Sequence, residues 1–148
     1  MRHKLHSLAE SRPPSADDIV CLGEEVLAEL PDFVRSRIGD VPIVVQDFAD
    51  DEVLAEMGID DPFELSGLYQ GVPIGHREQV TAPSGMPDLI FLYRRPILDE
   101  WCEVGVPLKE LVRTVLVHEI GHHMGLSDDD IDRIEEAGRH EDEAGGQG

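Results

Sequence analysis

The sequence predicts a single α+β domain, and three observations lead there. The chain has 148 residues, enough for one modest core. Two long stretches, residues 15–39 and 107–125, repeat apolar side chains at helical spacing. Between them lie three short runs that read as strands: two rich in β-branched or aromatic residues and one punctuated by glycines.

Taken in order, residues 1–14 carry few apolar groups and end in Arg12-Pro13-Pro14, as a flexible N-terminal arm would. His3 and His6 fall in this arm and read as solvated. Ser15 with Asp18 three residues on is a helix start. Ile19, Val20, Leu22, Val26, Leu27 and Leu30 supply the buried stripe. Pro31 interrupts it, and Phe33, Val34 and Ile38 add a further turn or two before Gly39. Val41 to Phe48 reads as a strand with Pro42 tolerated near its start. Ala49 to Asp61 is acidic, with Val53, Leu54 and Met57 at helical spacing, so a short surface helix should end at Gly58. Its acids, with Asp47, match no calcium-binding loop and read as a solvated segment.

Leu65 to Ile74 is a glycine-punctuated strand expected to approach another backbone or a ligand closely. Gly75 to Pro87, with His76, is a loop. Asp88 to Tyr93 is a strong strand that Arg94-Arg95-Pro96 should end. Ile97 to Glu103 reads as a short helix with Leu98, Trp101 and Cys102 inward. Pro107 suits a helix start. Leu108, Leu111, Val112, Val115, Leu116, Ile120 and Met124 then form an apolar stripe running to Gly125. Gly121 inside that helix costs about 1 kcal/mol against Ala, so another backbone should pack close there. Ser127 can cap a last helix, with Ile131 and Ile134 buried and Gly138 ending it. Residues 139–148 read as a disordered acidic tail, which leaves 15–138 as the folded domain.

The formal net charge is −20. That argues against nucleic acid and anionic membrane surfaces as partners, since both need a basic face. The basic start Met1-Arg2-His3-Lys4 precedes no apolar run, and no stretch reaches membrane-spanning length. A cytoplasmic monomer is expected. Cys21 and Cys102 then read as buried free thiols.

The densest chemistry lies at the end of the Pro107–Gly125 helix. His118 and His122 are one turn apart, so two imidazoles can aim at one point. Glu119 flanks that face, within reach of a water held there. Gly125 can leave the helix through a left-handed conformation and so bring Asp128 back as a third ligand. Two imidazoles and a carboxylate suit one Zn2+ per chain and leave a fourth position for water. At this chain's His and Glu content, His-Glu-x-x-His arises by chance in roughly one such sequence in thirty. Requiring the later Gly and Asp lowers that to about one in several thousand, which favours a site over incidental histidines. Asp129 and Asp130 compete with Asp128, and all three can also serve as helix-capping acids.

The pattern His-Glu-x-x-His-x-x-Gly-x-x-Asp, here His118, Glu119, His122, Gly125 and Asp128, resembles that of small bacterial zincin-like metallopeptidases. The likeness extends to Gly67-Leu68-Tyr69-Gln70-Gly71-Val72-Pro73, to the strand before Arg94-Arg95-Pro96 and to Asp128-Asp129-Asp130-Ile131, and spans roughly residues 15 to 138. It implies a minimal zincin-like fold, with a small mixed sheet of three to four strands packed on an active-site helix and scaffold helices. It also implies zinc held by His118, His122 and Asp128, with Glu119 as base. Metzincins share the longer motif, but too little chain follows Asp128 for their Met-turn, so none is expected.

Zinc in such a site lowers the pKa of a water to about 7. Glu119 would take that water's proton as the carbonyl is attacked, and pass it to the leaving amine. Tyr69, Tyr93 and His123 are candidate donors to the oxyanion, though the tyrosines also fit as packed strand residues and His123 as a solvent-facing one. An extended peptide should lie along a sheet edge, with Gly67 to Ile74 favoured over Asp88 to Tyr93. The expected function is a zinc-dependent metallopeptidase-like hydrolase acting on a peptide or protein. Two alternatives stay open. One is a hydrolase of another amide, such as a deacetylase. The other is a zinc-binding regulatory or interaction protein without peptidase activity, against which Glu119 argues because a structural site needs no base.

Overall fold

The computed structural model describes residues 11–71 and 88–146, with side chains to residue 137. The predicted loop with His76, and the end of the predicted strand at residues 72–74, lie outside the described residues.

Helix α1 (Ala16–Glu29) starts on a reciprocal cap. The Asp18 N–H donates to Ser15 Oγ at 3.1 Å and the Ser15 N–H donates to Asp18 Oδ2 at 2.9 Å, which satisfies two donors the helix cannot. Past Pro31 the chain starts anew as α2 (Asp32–Ile38). Strand β1 (Ile43–Gln46), helix α3 (Asp51–Met57), a 3-10 turn (Pro62–Glu64) and strand β2 (Gly67–Gln70) follow. Then come β3 (Leu89–Tyr93), α4 (Arg94–Val104), α5 (Leu108–Met124) and α6 (Asp128–Gly146).

The sheet is mixed and three-stranded among the described residues, in the order β1-β3-β2. β3 is central. It runs parallel to β1, with Ile43 opposite Ile90, and antiparallel to β2, with Gly67 opposite Leu92. Alternation along β3 divides its side chains between two cores. Ile90 and Leu92 join Ile19 and Val26 of α1 and Val112, Leu116 and Ile120 of α5. Phe91 and Tyr93 face the other way, onto Leu54 of α3 and Leu65. A strand covered on both faces explains why Leu89 to Tyr93 reads as a continuous apolar run.

Close packing sets where α5 sits. It lies against α1, β2 and α6. A Cβ added at Gly67 would stand 2.7 Å from Val115 Cγ1, so the glycine strand does approach its neighbour closely. A Cβ at Gly121 would meet Ile131 Cγ1 at 2.5 Å, so the close partner there is a side chain of α6. Gly121→Ala is therefore expected to destabilise. Overpacking costs about 1–3 kcal/mol and better helix propensity returns about 1. Urea unfolding checks the sign, and a more stable variant would mean that α6 yields easily.

Several expectations need correction. Both cysteines are free, but both are exposed rather than buried. Cys21 is two residues from buried Ile19, roughly 200° around the helix, and Cys102 stands one residue beyond half-buried Trp101. Arg94-Arg95-Pro96 does not merely end β3; it is the first turn of α4. Proline fits there because first-turn donors need no intrahelical partner. Arg94 anchors this corner, its Nε donating to the Pro14 carbonyl at 2.8 Å and its Nη1 to Asp47 Oδ1 at 3.3 Å. α6 does not end at Gly138 but continues into the acidic segment, through Gly146. Glycine weakens a helix without stopping it, and Arg139, Glu141, Glu143 and Ala144 are good helix formers. No helix among the described residues is long and apolar enough to cross a membrane.

Candidate active site

α5 carries the motif into the space beside β2. His118 and Glu119 are half-buried and His122 is exposed. The two imidazoles sit one turn apart, with ring centroids 6.4 Å apart. His118 Nδ1 lies 3.2 Å from the carbonyl oxygen of Thr114, one turn back. A proton on Nδ1 makes that contact a hydrogen bond and leaves Nε2 with the lone pair that can bind a metal.

Glu119 is the electrostatically unusual group. Burial pushes its carboxyl above the ordinary carboxylate range, and this outweighs the opposing pull of His122, of the Tyr69 backbone N–H and of His118. The Tyr69 contribution follows from strand register. The Tyr93 N–H donates to the Ser66 carbonyl at 2.9 Å, so Ser66 and Tyr93 form a hydrogen-bonded pair. Pairs alternate along an antiparallel ladder, which makes Tyr69, opposite Ile90, a non-bonded position whose N–H points away from β3. That outward N–H is the one that reaches Glu119.

The side chain of Tyr69 is engaged elsewhere. Its hydroxyl donates to Asp88 Oδ2 at 2.9 Å, and its ring stacks on His123 with centroids 3.8 Å apart. His123 Nε2 lies 3.7 Å from the same Asp88 oxygen. His123 is thus buried, not solvent-facing, because residue 123 falls on the side of α5 that meets β2. Tyr69 and Tyr93 are both packed, and Tyr93 feels Glu119. Its hydroxyl is pushed above its ordinary pKa by burial first, then by Asp50 and Glu119.

Gly125 adopts the left-handed conformation, at φ 72°, and closes α5. Leu126 and Ser127 lead into α6, whose first turn Ser127 caps by accepting from the Asp130 N–H at 3.2 Å. Asp128 is the first residue of that helix and is exposed. Imidazoles bound tetrahedrally to one zinc have centroids about 5 Å apart, so His118 and His122 fit a shared ion after a side-chain shift of about an ångström. Among the described residues no three His, Cys, Asp or Glu side chains already stand close enough to share one, and Asp128 does not complete such a cluster. Sequence reasoning missed Glu135. It is buried, and its Oε1 lies 3.6 Å from His118 Nδ1. The signal was present, since Glu135 shares the helical stripe of Ile131 and Ile134.

The family model for zincin-like metallopeptidases matches residues 38–138. The chain belongs to this family. No curated protein matches it. This member of the zincin-like metallopeptidase family carries His118-Glu119-x-x-His122 on α5, and its small mixed sheet with helices is consistent with a minimal form of the fold. Membership implies a zinc-dependent, peptidase-like chemistry. The chemistry of the His118–His122 pair agrees, as two imidazoles beside a carboxylate suit zinc.

Proposed function

We propose that this zincin-like protein is a peptidase in which His118, His122 and Asp128 would hold one zinc ion and Glu119 is the general base. One observation carries the reading: Glu119 is a desolvated carboxylate set between two imidazoles on one helix, with its pKa raised. Zinc, when bound there, would acidify a water and polarise the scissile carbonyl. Glu119 supplies the rest. Its raised pKa, set by burial, makes it a stronger proton acceptor, which suits a group that takes a proton from water and returns it to the leaving amine. The Tyr69 N–H holds one carboxylate oxygen in place during both transfers.

The peptide would lie along β2. Of the two strands considered, β3 has both edges filled, whereas β2 is outermost among the described residues. A peptide-bound structure with the substrate paired elsewhere would refute this placement.

Metal content tests the core of the proposal, measured on protein purified without a His-tag. One zinc per chain, lost in both His122→Ala and Asp128→Ala, is expected. No uptake by the wild type would sink the metal reading, and loss in His122→Ala alone would make Asp128 only a helix-capping acid. Peptide libraries run against acetylated small molecules then identify the acyl group.

A further inference from the structure

The helices α5 and α6 run back along each other. Gly121 meets Ile131, and one turn further His118 meets Glu135: three residues back on α5, four forward on α6. Glu135 is the one acidic side chain classed as buried among the described residues, at 8% exposure, in a chain of net charge −20. Burying a carboxylate is costly unless a cation or donor faces it. One group that faces it is His118 Nδ1, at 3.6 Å. The same nitrogen lies 3.2 Å from the Thr114 carbonyl oxygen. The Thr114 carbonyl within hydrogen-bond distance, and the Glu135 carboxylate just beyond it, both favour a proton on that nitrogen. Nε2, the far nitrogen of a partly exposed ring, then keeps its lone pair.

We infer that Glu135 is a positioning residue: it stands behind His118, fixes its tautomer and ring orientation through Nδ1, and strengthens Nε2 as a metal ligand. This rests on the reading of His118 as a ligand. A carboxylate behind a ligating imidazole raises its basicity and adds negative charge near the cation. Removing such a partner typically weakens metal binding 10- to 100-fold. The close approach at Gly121 is what brings α6 near enough for the contact.

The test is a chelator-competition titration of zinc on the full chain, comparing wild type, Glu135→Gln and Glu136→Gln. Glu136 is the exposed neighbour and controls for the lost charge. Zinc affinity should fall about 10- to 100-fold in Glu135→Gln and stay unchanged in Glu136→Gln. Long-range 1H–15N NMR of wild type should show His118 protonated at Nδ1, with Nε2 shifting as zinc is added. Should Glu135→Gln fail to fold, Glu135→Asp is the second variant: its shorter side chain draws the carboxylate back from Nδ1 and should lower zinc affinity, and unchanged affinity would overturn the inference. Zinc on Nδ1, or wild-type affinity in Glu135→Gln, overturns the inference while leaving the metal centre intact. Complete loss of zinc from a folded Glu135→Gln also overturns it, by making Glu135 itself a ligand. A wild type that takes up no zinc removes the metal centre, and this inference with it.

Discussion

Glu119→Gln is expected to lower turnover by about 10²- to 10⁴-fold, the usual contribution of a positioned general base. Glutamine keeps the size and the hydrogen bond from the Tyr69 N–H but cannot take a proton. Zinc should stay bound, because the imidazoles are untouched. Stability of the metal-free protein should move the opposite way from activity. The folded state raises the pKa of Glu119, so as pH rises the unfolded chain releases this proton first. Between the two pKa values the native state holds more protons, and stability falls with rising pH. The contribution is full below the unfolded value and gone above the raised one. Metal-free wild type should therefore lose stability just above the ordinary carboxylate range, and Glu119→Gln should lack that loss. Denaturant midpoints measured across pH 3–8, an interval set by the reference carboxylate and histidine pKa values of about 4 and 6.5, check it. Wild-type turnover in the variant would end the general-base assignment, and identical pH slopes would end the desolvation argument.

Leu116→Ala is expected to cost about 2–5 kcal/mol, a large share of the 5–15 typical of a domain. Leu116 is fully buried on the opposite side of α5 from the histidines, in the core formed with α1 and β3. Zinc at a thousand times its dissociation constant adds about 4 kcal/mol to any folded form that binds it. Zinc should therefore restore most of the melting temperature of Leu116→Ala, and none of that of His122→Ala. Thermal unfolding with and without zinc separates the two. A loss under about 1 kcal/mol in Leu116→Ala would mean that packing on α1 does not hold the active-site helix.

Much of this was legible in the sequence because local signals agreed with the tertiary outcome. The Ser15–Asp18 cap, the apolar stripe of α5 and the turn at Gly125 each follow from spacing and backbone chemistry within a few residues. The close packing at Gly121 and Gly67 was legible as a cost that needed a reason. What escaped depends on which face meets which neighbour. His123 is adjacent to an exposed ligand candidate, yet it lies under β2 against Tyr69. Cys21 and Cys102 have apolar neighbours in sequence yet lie on exposed faces of their helices. Glu135 reads as one more acid in an acidic segment until α6 is laid along α5. The start of α4 was missed because Pro96 reads as a breaker, although the first turn of a helix tolerates it.

His118, Glu119, His122, Asp128 and Glu135 all fall within residues 118–135, one helical hairpin, whereas the Tyr69 N–H arrives from the other side of residues 72–87. Contacts close in sequence cost little loop entropy and form early, and those that span about a third of a chain form later. The hairpin should therefore be able to grip an ion before the sheet has closed. The strand that steadies the base should be the last part to arrive and the first to leave. Hydrogen exchange would show this order as faster opening of the Tyr69 amide than of the α5 interior, and equal rates would refute it. On the proposed roles, loosening β2 would silence the base without releasing the metal, so that loading would precede competence to cut.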